Sequence, residues 1–417
     1  MLLLYNFFLY LYQLAIRVYS LFNAKAEKWV AGRVGWQQHV AASLKPGEKR
    51  IWFHCSSVGE YEQAKPLIEA MKAEFPVFKV IVTFFSPSGY EACKDSKLPD
   101  FVFYLPHDSS SNARQFIEMV APKMALFVKY EFWYHYLDAL KAKGIPTLLV
   151  SGAFREGQPF FKWYGGLFRR MLRSFTFFFL QDEGSGQMLD RIGIKQNVII
   201  SGDTRYDRVA NIAGNPAPIP AIEKFKGGHK ILIAGSTWPG DEEMLKECMS
   251  VLPTDWKLIL VPHEIDDAHI RKIKMLFNDM PVLYTDLEKG SGVDNKVLIV
   301  NSMGMLSRMF AYGDIAFIGG GFQKGGIHNI LEPAVFGLPV LFGPVYQKFV
   351  EANELAGLNY VFPVSNAAVA KEKLNELIAN EEYRKSVSNS LKHFMQEHIG
   401  ASAIIADKIR GEGWLRQ

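Results

Sequence analysis

The sequence predicts an α/β protein with two doubly wound parallel sheets, one in each half of the chain. From residue 50 onward, short apolar runs alternate with amphipathic segments, the pattern of strands covered by helices on both faces. This pattern stops at a segment containing Pro216, Pro218 and Pro220 and then restarts, which indicates a linker. A length of 417 residues fits two such domains and a short N-terminal segment.

The first 16 residues contain no charged side chain, and Arg17, Lys25, Lys28 and Arg33 follow them. A signal peptide carries its positive charge before the apolar run, whereas charge after the run favours a cytoplasmic location for the rest of the chain. Roughly 24 Å of helix is slightly shorter than a ~30 Å hydrocarbon core. We therefore predict a membrane-anchor helix in residues 1–22. The alternative is an apolar first helix packed on the body of the protein.

The expected domains are residues 23–210 and 230–417, joined by a linker at 211–229, with helices at the C-terminus of the second domain. In the first domain the predicted strands are residues 50–55, 79–84, 101–104, 124–128, 147–150, 175–180 and 198–201. In the second they are residues 230–234, 256–261, 282–284, 297–300, 315–318 and 340–342. Ligands of such sheets bind beyond the carboxyl ends of the strands, so we expect the active site in a cleft between the domains.

Composition excludes several classes of protein. Hydrophobic residues make up 49% of the chain, which excludes a largely disordered protein. A net charge of +4 is too small and too dispersed to indicate a nucleic-acid partner. Three widely spaced cysteines without a CxxC pair favour neither a disulfide framework nor a zinc site, and they suit a reducing compartment.

Three motifs of the first domain follow predicted strands. Glu60 ends the loop Ser56-Ser-Val-Gly-Glu60 at the start of a helix, where a carboxylate is stabilised and can act as a general base. The alternative is a first-turn Glu that only suits the helix dipole. Glu131 and Arg205 follow later strands, and each is equally consistent with a structural role.

The second domain carries a glycine-rich loop. Five glycines lie between residues 319 and 326, after a strand and before a helix, and His328, Asn329 and Glu332 follow them. Exposed backbone N–H groups in such a loop can bind an anion or nucleotide, although the spacing is neither a Walker nor a Rossmann pattern. The alternative is a flexible surface turn. The segments 235–243, 261–264 and 301–306 also follow strands, and the basic, aromatic segment 160–173 suits either a membrane interface or a core-packed helix.

These residues together resemble the 3-deoxy-D-manno-octulosonic acid (Kdo) transferases of lipopolysaccharide assembly. The resemblance is carried by Ser56-Ser-Val-Gly-Glu60, Gly235-Ser-Thr-Trp-Pro-Gly-Asp-Glu-Glu243, Met303-Gly-Met305, the 319–333 segment and Gly337-Leu-Pro-Val-Leu-Phe-Gly-Pro344. It implies a GT-B glycosyltransferase that transfers Kdo with inversion, without a cofactor or bound metal, from CMP-Kdo to a lipid A precursor such as lipid IVA. The site of action would be the cytoplasmic side of the inner membrane.

The resemblance also implies site residues. Glu60 would accept the proton, and Glu131 and Arg205 would stabilise the transition state. The nucleotide would be bound by Pro262, His263, Met303, Gly304, Met305, Asn329, Ile330, Leu331 and Glu332. One departure is the segment Pro262-His-Glu-Ile-Asp266, because the family often has Pro-Arg-His-Pro-Glu-Arg there.

Two other functions are compatible with this pattern. A nucleotide-sugar 2-epimerase of GT-B fold would share the two α/β domains, but its soluble substrate needs no apolar N-terminus. A non-catalytic lipid-binding protein would not need intact Glu60, Arg205 and Glu332.

Overall fold

Two seven-stranded sheets, with all their strands parallel, form the framework of the protein. The computed structural model describes residues 1–214, 216–278 and 280–415. The chain divides into one unit formed by Met1–Arg208 and His398–Gln417 and a second formed by Val209–Glu397. Each unit contains one sheet, so the predicted pair of doubly wound α/β sheets is confirmed.

The first sheet has the strand order β3-β2-β1-β4-β5-β6-β7. Its strands are β1 (Lys49–Cys55), β2 (Phe78–Phe84), β3 (Phe101–Tyr104), β4 (Pro122–Val128), β5 (Thr147–Gly152), β6 (Phe177–Leu180) and β7 (Val198–Ile200). The chain builds outward from β1 to β3 and then returns to place β4 on the other side of β1. The order therefore reverses between β1 and β4, and such a reversal opens a crevice at the carboxyl ends of the strands.

Helices cover both faces of this sheet. They are α1 (Leu2–Tyr19), α2 (Ala24–Ala31), α3 (Trp36–Ser43), α4 (Val58–Glu74), α5 (Pro87–Cys93), α6 (Ser110–Val120), α7 (Tyr134–Ala142), α8 (Gly166–Leu172), α9 (Glu183–Asp190) and α10 (Thr204–Gly214). Successive residues of a strand point to opposite faces, so Trp52 enters one core while Ile51 and Phe53 enter the other. Burial on both faces explains the nearly continuous apolar runs of the strands.

The second sheet has the order β10-β11-β9-β8-β12-β13-β14 and reverses between β8 and β12. Its strands are β8 (Lys230–Thr237), β9 (Trp256–Pro262), β10 (Pro281–Leu283), β11 (Val297–Ile299), β12 (Ile315–Ile318), β13 (Val340–Phe342) and β14 (Val361–Pro363). Its helices are α11 (Pro220–Lys226), α12 (Pro239–Cys248), α13 (Asp267–Leu276), α14 (Tyr284–Leu287), α15 (Leu306–Met309), α16 (Leu331–Val335), α17 (Val350–Gly357), α18 (Ala367–Ala379) and α19 (Glu381–His398). Every predicted strand is found, with ends shifted by at most three residues, and β14 was not predicted.

The predicted apolar N-terminal helix is α1. No residue of α1 is buried, and its exposed side chains include Leu3, Phe8 and Leu14. Within the described residues it is the one helix whose length and apolar composition would allow it to cross a membrane. Its first turns nevertheless contact the rest of the first unit, because Leu2 and Tyr5 pack against the core.

The last helix, α20 (Ala401–Glu412), lies in the first unit, although the prediction placed residues 230–417 together. It packs on α4, and Ile405 and Ile409 enter the core beneath that helix. An amphipathic pattern shows that a helix has a buried face but not which sheet it covers, which explains the wrong assignment. The predicted linker at 211–229 also differs, since Pro220 begins helix α11.

The segment 160–173 is largely a core element. Phe160, Leu167 and Met171 are buried in the first unit, and Arg169 donates hydrogen bonds to the carbonyls of Phe160 and Lys162. These buried residues serve packing, whereas Trp163 and Tyr164 of the same segment are exposed.

Replacing Ile405 by alanine should destabilise the first unit alone. The side chain is 0% exposed, and removing a buried Ile side chain to Ala costs about 2–5 kcal/mol. Hydrogen exchange of the full-length protein should show lost protection in α4 and the first sheet, with residues 209–397 unchanged. Ile404→Ala, at a position that is 43% exposed on the same helix, is the control. Loss of protection in the second sheet would contradict the placement of α20.

Candidate active site

The predicted site residues of the first unit lie where the strand order reverses. Glu60 lies in the first turn of α4, which follows β1, and the loop that carries Glu131 follows β4. The strands β1 and β4 are neighbours in the sheet. Both loops therefore leave the carboxyl edge at the crevice where ligands bind in sheets of this kind. Sequence reasoning placed each residue after a strand, but the pairing of β1 with β4 is what brings them together.

Glu60 closes a capping box at the start of α4. Its Oε2 accepts hydrogen bonds from the backbone N–H groups of Ser56 and Ser57, the latter at 3.2 Å. In return the Ser57 hydroxyl accepts the N–H of Glu60 at 3.4 Å. These bonds satisfy N–H groups that the first turn of a helix leaves without partners. Glu60 thus has a structural role, and both of its bonds use the same oxygen.

Glu131 is held by a buried hydrogen-bond network. The residue is 6% exposed, and its Oε2 lies 2.9 Å from His54 Nε2 and 2.6 Å from Trp133 Nε1. A carboxylate oxygen can only accept, so Nε2 of His54 carries the proton. The other ring nitrogen, Nδ1, lies 2.8 Å from the Thr83 hydroxyl. The Ser56 side chain makes a smaller contribution to lowering the pKa of Glu131.

The two carboxyl groups have opposite pKa shifts. Burial, followed by the charge of Glu131, raises the pKa of Glu60 to about 7, against the opposing effect of the Ser56 and Ser57 N–H groups and of Lys129. Burial alone would also raise the pKa of Glu131, but the hydrogen bonds from His54 and Trp133 lower it below its usual value. At neutral pH Glu131 therefore keeps its negative charge, while Glu60 can hold or release a proton. Two neighbouring carboxyl groups whose pKa values are shifted in opposite directions are typical of acid–base sites.

Arg205 is linked to the helix that carries Glu60. Its Nε donates to Asp203 Oδ2 at 2.7 Å, and its backbone N–H donates to Asp203 Oδ1 at 2.9 Å. Asp203 is buried and also accepts hydrogen bonds from Gln181 and from Gln63 of α4. Gln63 follows Glu60 by about one helical turn, so Asp203 ties the Arg205 side chain to the same helix.

Three strand ends carry residues with positive φ. They are Lys129 with φ 66°, Ser151 with φ 52° and Ser236 with φ 53°, at the ends of β4, β5 and β8. A non-glycine residue in this region costs roughly 1–3 kcal/mol, and such residues concentrate at functional sites. The strain lies at the same sheet edges as the sequence motifs.

The glycine-rich loop of the second unit lies where that sheet reverses, after β12 and beside the loop that follows β8. Asp241 Oδ2 joins the two loops by accepting the N–H of Gly320 at 2.8 Å and that of Trp238 at 2.9 Å. Burial raises the pKa of Asp241 to about 6. A Cβ on Gly319 would lie 2.3 Å from the Ser236 carbonyl oxygen, and one on Gly321 would lie 2.5 Å from the Gly343 nitrogen. These glycines allow close backbone packing, so the flexible-turn interpretation is wrong for residues 319–321.

His263 packs face to face with two neighbouring rings. Its ring centroid is 4.7 Å from that of Trp238 and 4.5 Å from that of His328, with interplanar angles of 24° and 27°. The Trp238 indole N–H donates to His328 Nε2 at 3.1 Å. Burial, followed by the charge of His263, lowers the pKa of His328, which keeps that ring neutral and able to accept. Trp238 and His328 therefore fix the orientation of His263.

The remaining nucleotide-site candidates lie on neighbouring loops of the second unit. Glu332 accepts hydrogen bonds from the Ser307 hydroxyl at 2.7 Å and from Asn329 Nδ2 at 3.2 Å. Ser307 belongs to α15, directly after the loop of Met303, Gly304 and Met305, and Pro262 ends β9. Ile330 and Leu331 are buried, so they could reach a ligand only through their backbone.

Among the described residues, Glu264, Asp266 and His269 have the spacing of a metal site. Both ring nitrogens of His269 are already engaged, one with the Glu264 carbonyl at 2.9 Å and the other with Glu242 at 3.0 Å. This group therefore supports no metal site.

Sequence reasoning missed three buried residues that hydrogen-bond the candidate site residues or their loops. His54 lies inside the apolar run of β1, Asp203 lies two residues before Arg205, and Asp241 was quoted within a motif without a role. A signal was present for His54, since it is the one polar residue between Ile51 and Cys55, directly before the loop of Glu60.

Comparison with known proteins identifies the family. Residues 29–208 match the family model of the 3-deoxy-D-manno-octulosonic-acid transferases. Residues 29–208 belong to the Kdo transferase family. The resemblance seen in the sequence is confirmed.

Proteins named Kdo transferase align along most of the chain. One from Chlamydia trachomatis serovar A is 28% identical over 363 residues, which cover 83% of this chain and 82% of the relative. One from Haemophilus influenzae is 27% identical over 379 residues, covering 88% and 87%. A bifunctional glycosyltransferase/methyltransferase from Fusobacterium nucleatum is 27% identical over 363 residues, covering 84% of this chain, and the chain spans 55% of that relative.

Solved structures agree with the fold. A UDP-GlcNAc 2-epimerase from Neisseria meningitidis has a TM-score of 0.63 at 17% identity and covers 87% of this chain and 100% of its own. MurG from Acinetobacter baumannii has a TM-score of 0.54 at 11% identity, covering 87% and 99%. At these identities the likeness shows the fold alone, and it confirms the GT-B class that the Kdo transferase resemblance implied.

Replacing Glu60 by glutamine should stabilise the protein at high pH. Because folding raises the pKa of Glu60 to about 7, the contribution of this group to stability is present at low pH and is lost as the pH rises through about 7. Glutamine keeps the cap without a charge. Glu60→Gln should therefore melt above the unmodified protein at pH 8, and the gain should vanish as the pH falls toward the ordinary Glu pKa of about 4.3. Scanning calorimetry at both pH values measures this difference in melting temperature, and exposed Glu69→Gln of α4 is the control. A lower melting temperature of Glu60→Gln at pH 8 would contradict the raised pKa.

Proposed function

We propose that the protein transfers Kdo from CMP-Kdo to a lipid A precursor of the lipid IVA type, with inversion and without a bound metal. The observation that carries the proposal is the pair Glu60 and Glu131, whose pKa values are shifted in opposite directions, in a segment that belongs to the Kdo transferase family. The proposed place of action is the cytoplasmic face of the inner membrane. Its support is the exposed apolar surface of α1 and the basic residues after it.

Glu60 is the proposed proton acceptor. In an inverting transfer, an acceptor hydroxyl forms a new bond to the anomeric carbon while the bond to the CMP phosphate breaks, and CMP leaves with the electron pair. The hydroxyl proton passes to Glu60 late in this step. A pKa of about 7 suits this role better than the ordinary value of about 4.3, because a general base works best near the operating pH. Since Ser56 and Ser57 both bond Oε2, we assign the acceptor hydroxyl to Oε1.

Glu131 and Arg205 are the proposed stabilisers of the transition state. Glycosyl transfer passes through a state with positive charge on the sugar ring. The negative charge of the ionised Glu131 would stabilise that state. Negative charge develops on the phosphate of the leaving CMP, and the Arg205 guanidinium would stabilise it. CMP has one phosphate, so this cation and backbone N–H groups can supply the needed charge without a metal.

The second unit is the proposed nucleotide site. Its residues are Pro262, His263, Met303, Gly304, Met305, Asn329, Ile330, Leu331 and Glu332. Glu332 is suited to accept hydrogen bonds from ribose hydroxyls, because Ser307 and Asn329 already orient its carboxylate. Stacked His263 offers an aromatic face to a base.

Product analysis tests the whole proposal. The full-length protein, CMP-Kdo and lipid IVA should give CMP and a Kdo-bearing lipid, detected by mass spectrometry. Conversion of a UDP-sugar to its 2-epimer without any acceptor, and no Kdo-lipid, would instead establish the epimerase alternative.

Glu60→Gln should lower turnover by at least about 10²-fold, because glutamine cannot accept the proton. The affinity for CMP should barely change, since the carboxyl group lies in the other unit from the proposed nucleotide site. Initial rates at saturating CMP-Kdo measure this effect, and Glu69→Gln on the same helix should keep normal turnover. Near-normal turnover of Glu60→Gln would leave the residue only its capping role and would move the base to Glu131.

Glu332→Ala should weaken CMP binding by about 1–3 kcal/mol through lost charge-assisted hydrogen bonds. Calorimetry with CMP and UMP measures the effect and the base preference together, and the exposed Glu354→Ala of α17 is the control. UMP that binds as tightly as CMP would refute the assignment of the donor.

A further inference from the structure

Two adjacent apolar cavities lie between α1 and the body of the first unit. The first has a volume of about 320 Å³ and is lined by Leu9, Tyr12, Gln13, Trp29, Phe85 and Trp133, among others. The second, of about 260 Å³, shares Tyr12, Trp29 and Phe85 with the first and adds Ile16, Tyr19 and Lys25. The two cavities adjoin at these shared side chains, and both lie along α1. We call the two together the α1 groove; from residue 9 to residue 19 it follows roughly 15 Å of helix.

The groove exists because α1 is held at its start and not packed along its length. The Tyr5 hydroxyl donates to Asp108 at 2.6 Å, and Asn6 Oδ1 lies 2.7 Å from His135 Nε2. Farther along, the Tyr12 ring meets the edge of Trp29 at 5.8 Å, and no residue of α1 becomes buried. The helix therefore lies over apolar side chains that it does not cover.

A buried donor lines the groove. Trp29 borders both cavities, and its indole N–H is buried without a hydrogen-bond partner among the described residues. The ring is fixed in place, because the Arg33 guanidinium lies 4.0 Å from its centroid and donates to the carbonyls of Trp29, Leu105 and Phe85. The ring of Trp29 therefore forms a fixed wall that both cavities share.

One end of the groove is lined by a residue that hydrogen-bonds Glu131. Trp133 lines the first cavity and packs against Phe85, with the two ring centroids 4.7 Å apart. Its indole N–H donates to Glu131 Oε2. At the other end, Lys25 borders the second cavity. A molecule with an apolar tail in the groove would thus place its polar head on the side of Glu131 and Glu60.

We infer that the α1 groove binds one acyl chain of the lipid acceptor and so presents the attached sugar to the carboxylate pair. This inference rests on the proposed function and adds a residue-level site for the acceptor. An acyl chain of the acceptor fits better than a chain of the surrounding bilayer, because one end of the groove is lined by Trp133, the side chain that donates to Glu131.

Photo-crosslinking tests the occupant without requiring activity. The full-length protein in nanodiscs receives either a lipid IVA analogue with a diazirine on one acyl chain or a phosphatidylglycerol with the same modified chain. With labelled residues assigned by fragment-ion mass spectrometry, we expect the lipid IVA probe to label Leu9, Gln13 or Phe85, and the phosphatidylglycerol probe to label mainly outward positions such as Phe8 and Leu14. Equal labelling of the groove by both probes would make it a site for bulk lipid, and no labelling of the groove would refute it.

Filling the groove tests its part in acceptor binding. Leu9→Trp places a larger ring in the first cavity, whereas Leu14→Trp makes the same change at a position that is 50% exposed and outside the lining. Leu9→Trp should raise KM for lipid IVA at least about ten-fold. KM for CMP-Kdo and the rate with a deacylated, water-soluble acceptor should not change, and Leu14→Trp should behave as the unmodified protein.

The outcomes separate the two proposals. Equal KM values for lipid IVA in Leu9→Trp and Leu14→Trp would refute the groove while Kdo transfer itself stands. If the unmodified protein transfers no Kdo to either acceptor, the proposed function fails, and the crosslinking result still decides what the groove binds.

Discussion

In a parallel sheet every strand ends at the same edge, and this constraint organises both units. Where the strand order reverses, the loops leaving two neighbouring strands diverge to opposite faces and open a crevice. In the first sheet the reversal separates the loops that follow β1 and β4, and in the second it separates those that follow β8 and β12. Glu60 and Glu131 occupy the first crevice, and the glycine-rich loop with Asp241 occupies the second. The sites thus follow from strand order more than from any single motif.

Within the first crevice, electrostatics divides the roles of two similar side chains. Both carboxyl groups are withdrawn from water, which raises the pKa of each. Glu131 overcomes this effect because His54 and Trp133 donate to it inside the core. Among the described residues Glu60 has only backbone donors. It is also beside a negative neighbour, so its pKa stays raised. His54 therefore acts on Glu60 indirectly, since the charge that it stabilises on Glu131 is the charge that raises the pKa of Glu60.

Sequence reasoning predicted what short-range patterns encode and failed where tertiary pairing decides. Apolar runs located the strands of both sheets, whereas β14, three residues ending in Pro363, was too short to stand out. Helix α20 was assigned to the wrong unit because its apolar face does not show which of the two sheets it packs against. Glu60 could be selected from its motif, but Glu131, whose charge adds to the effect of burial in raising the pKa of Glu60, lies 71 positions away in the sequence. His54 is visible as a polar residue within an apolar strand. Its role could not be predicted, because nothing in the local sequence shows that β4, and with it Glu131, lies beside β1.

The N-terminal helix is mechanically connected to the candidate site. Helix α7 begins after Trp133, whose side chain provides no cap, and its first N–H groups are instead accepted by Asp108, from His135 at 3.1 Å and Tyr136 at 3.2 Å. Tyr5 of α1 donates to the same carboxylate at 2.6 Å. A displacement of α1 must therefore break this bond or disturb the start of α7, which directly follows the segment carrying Glu131 and Trp133. Attachment of the exposed apolar face of α1 to a bilayer would in this way restrain the loop that fixes the charge of the site.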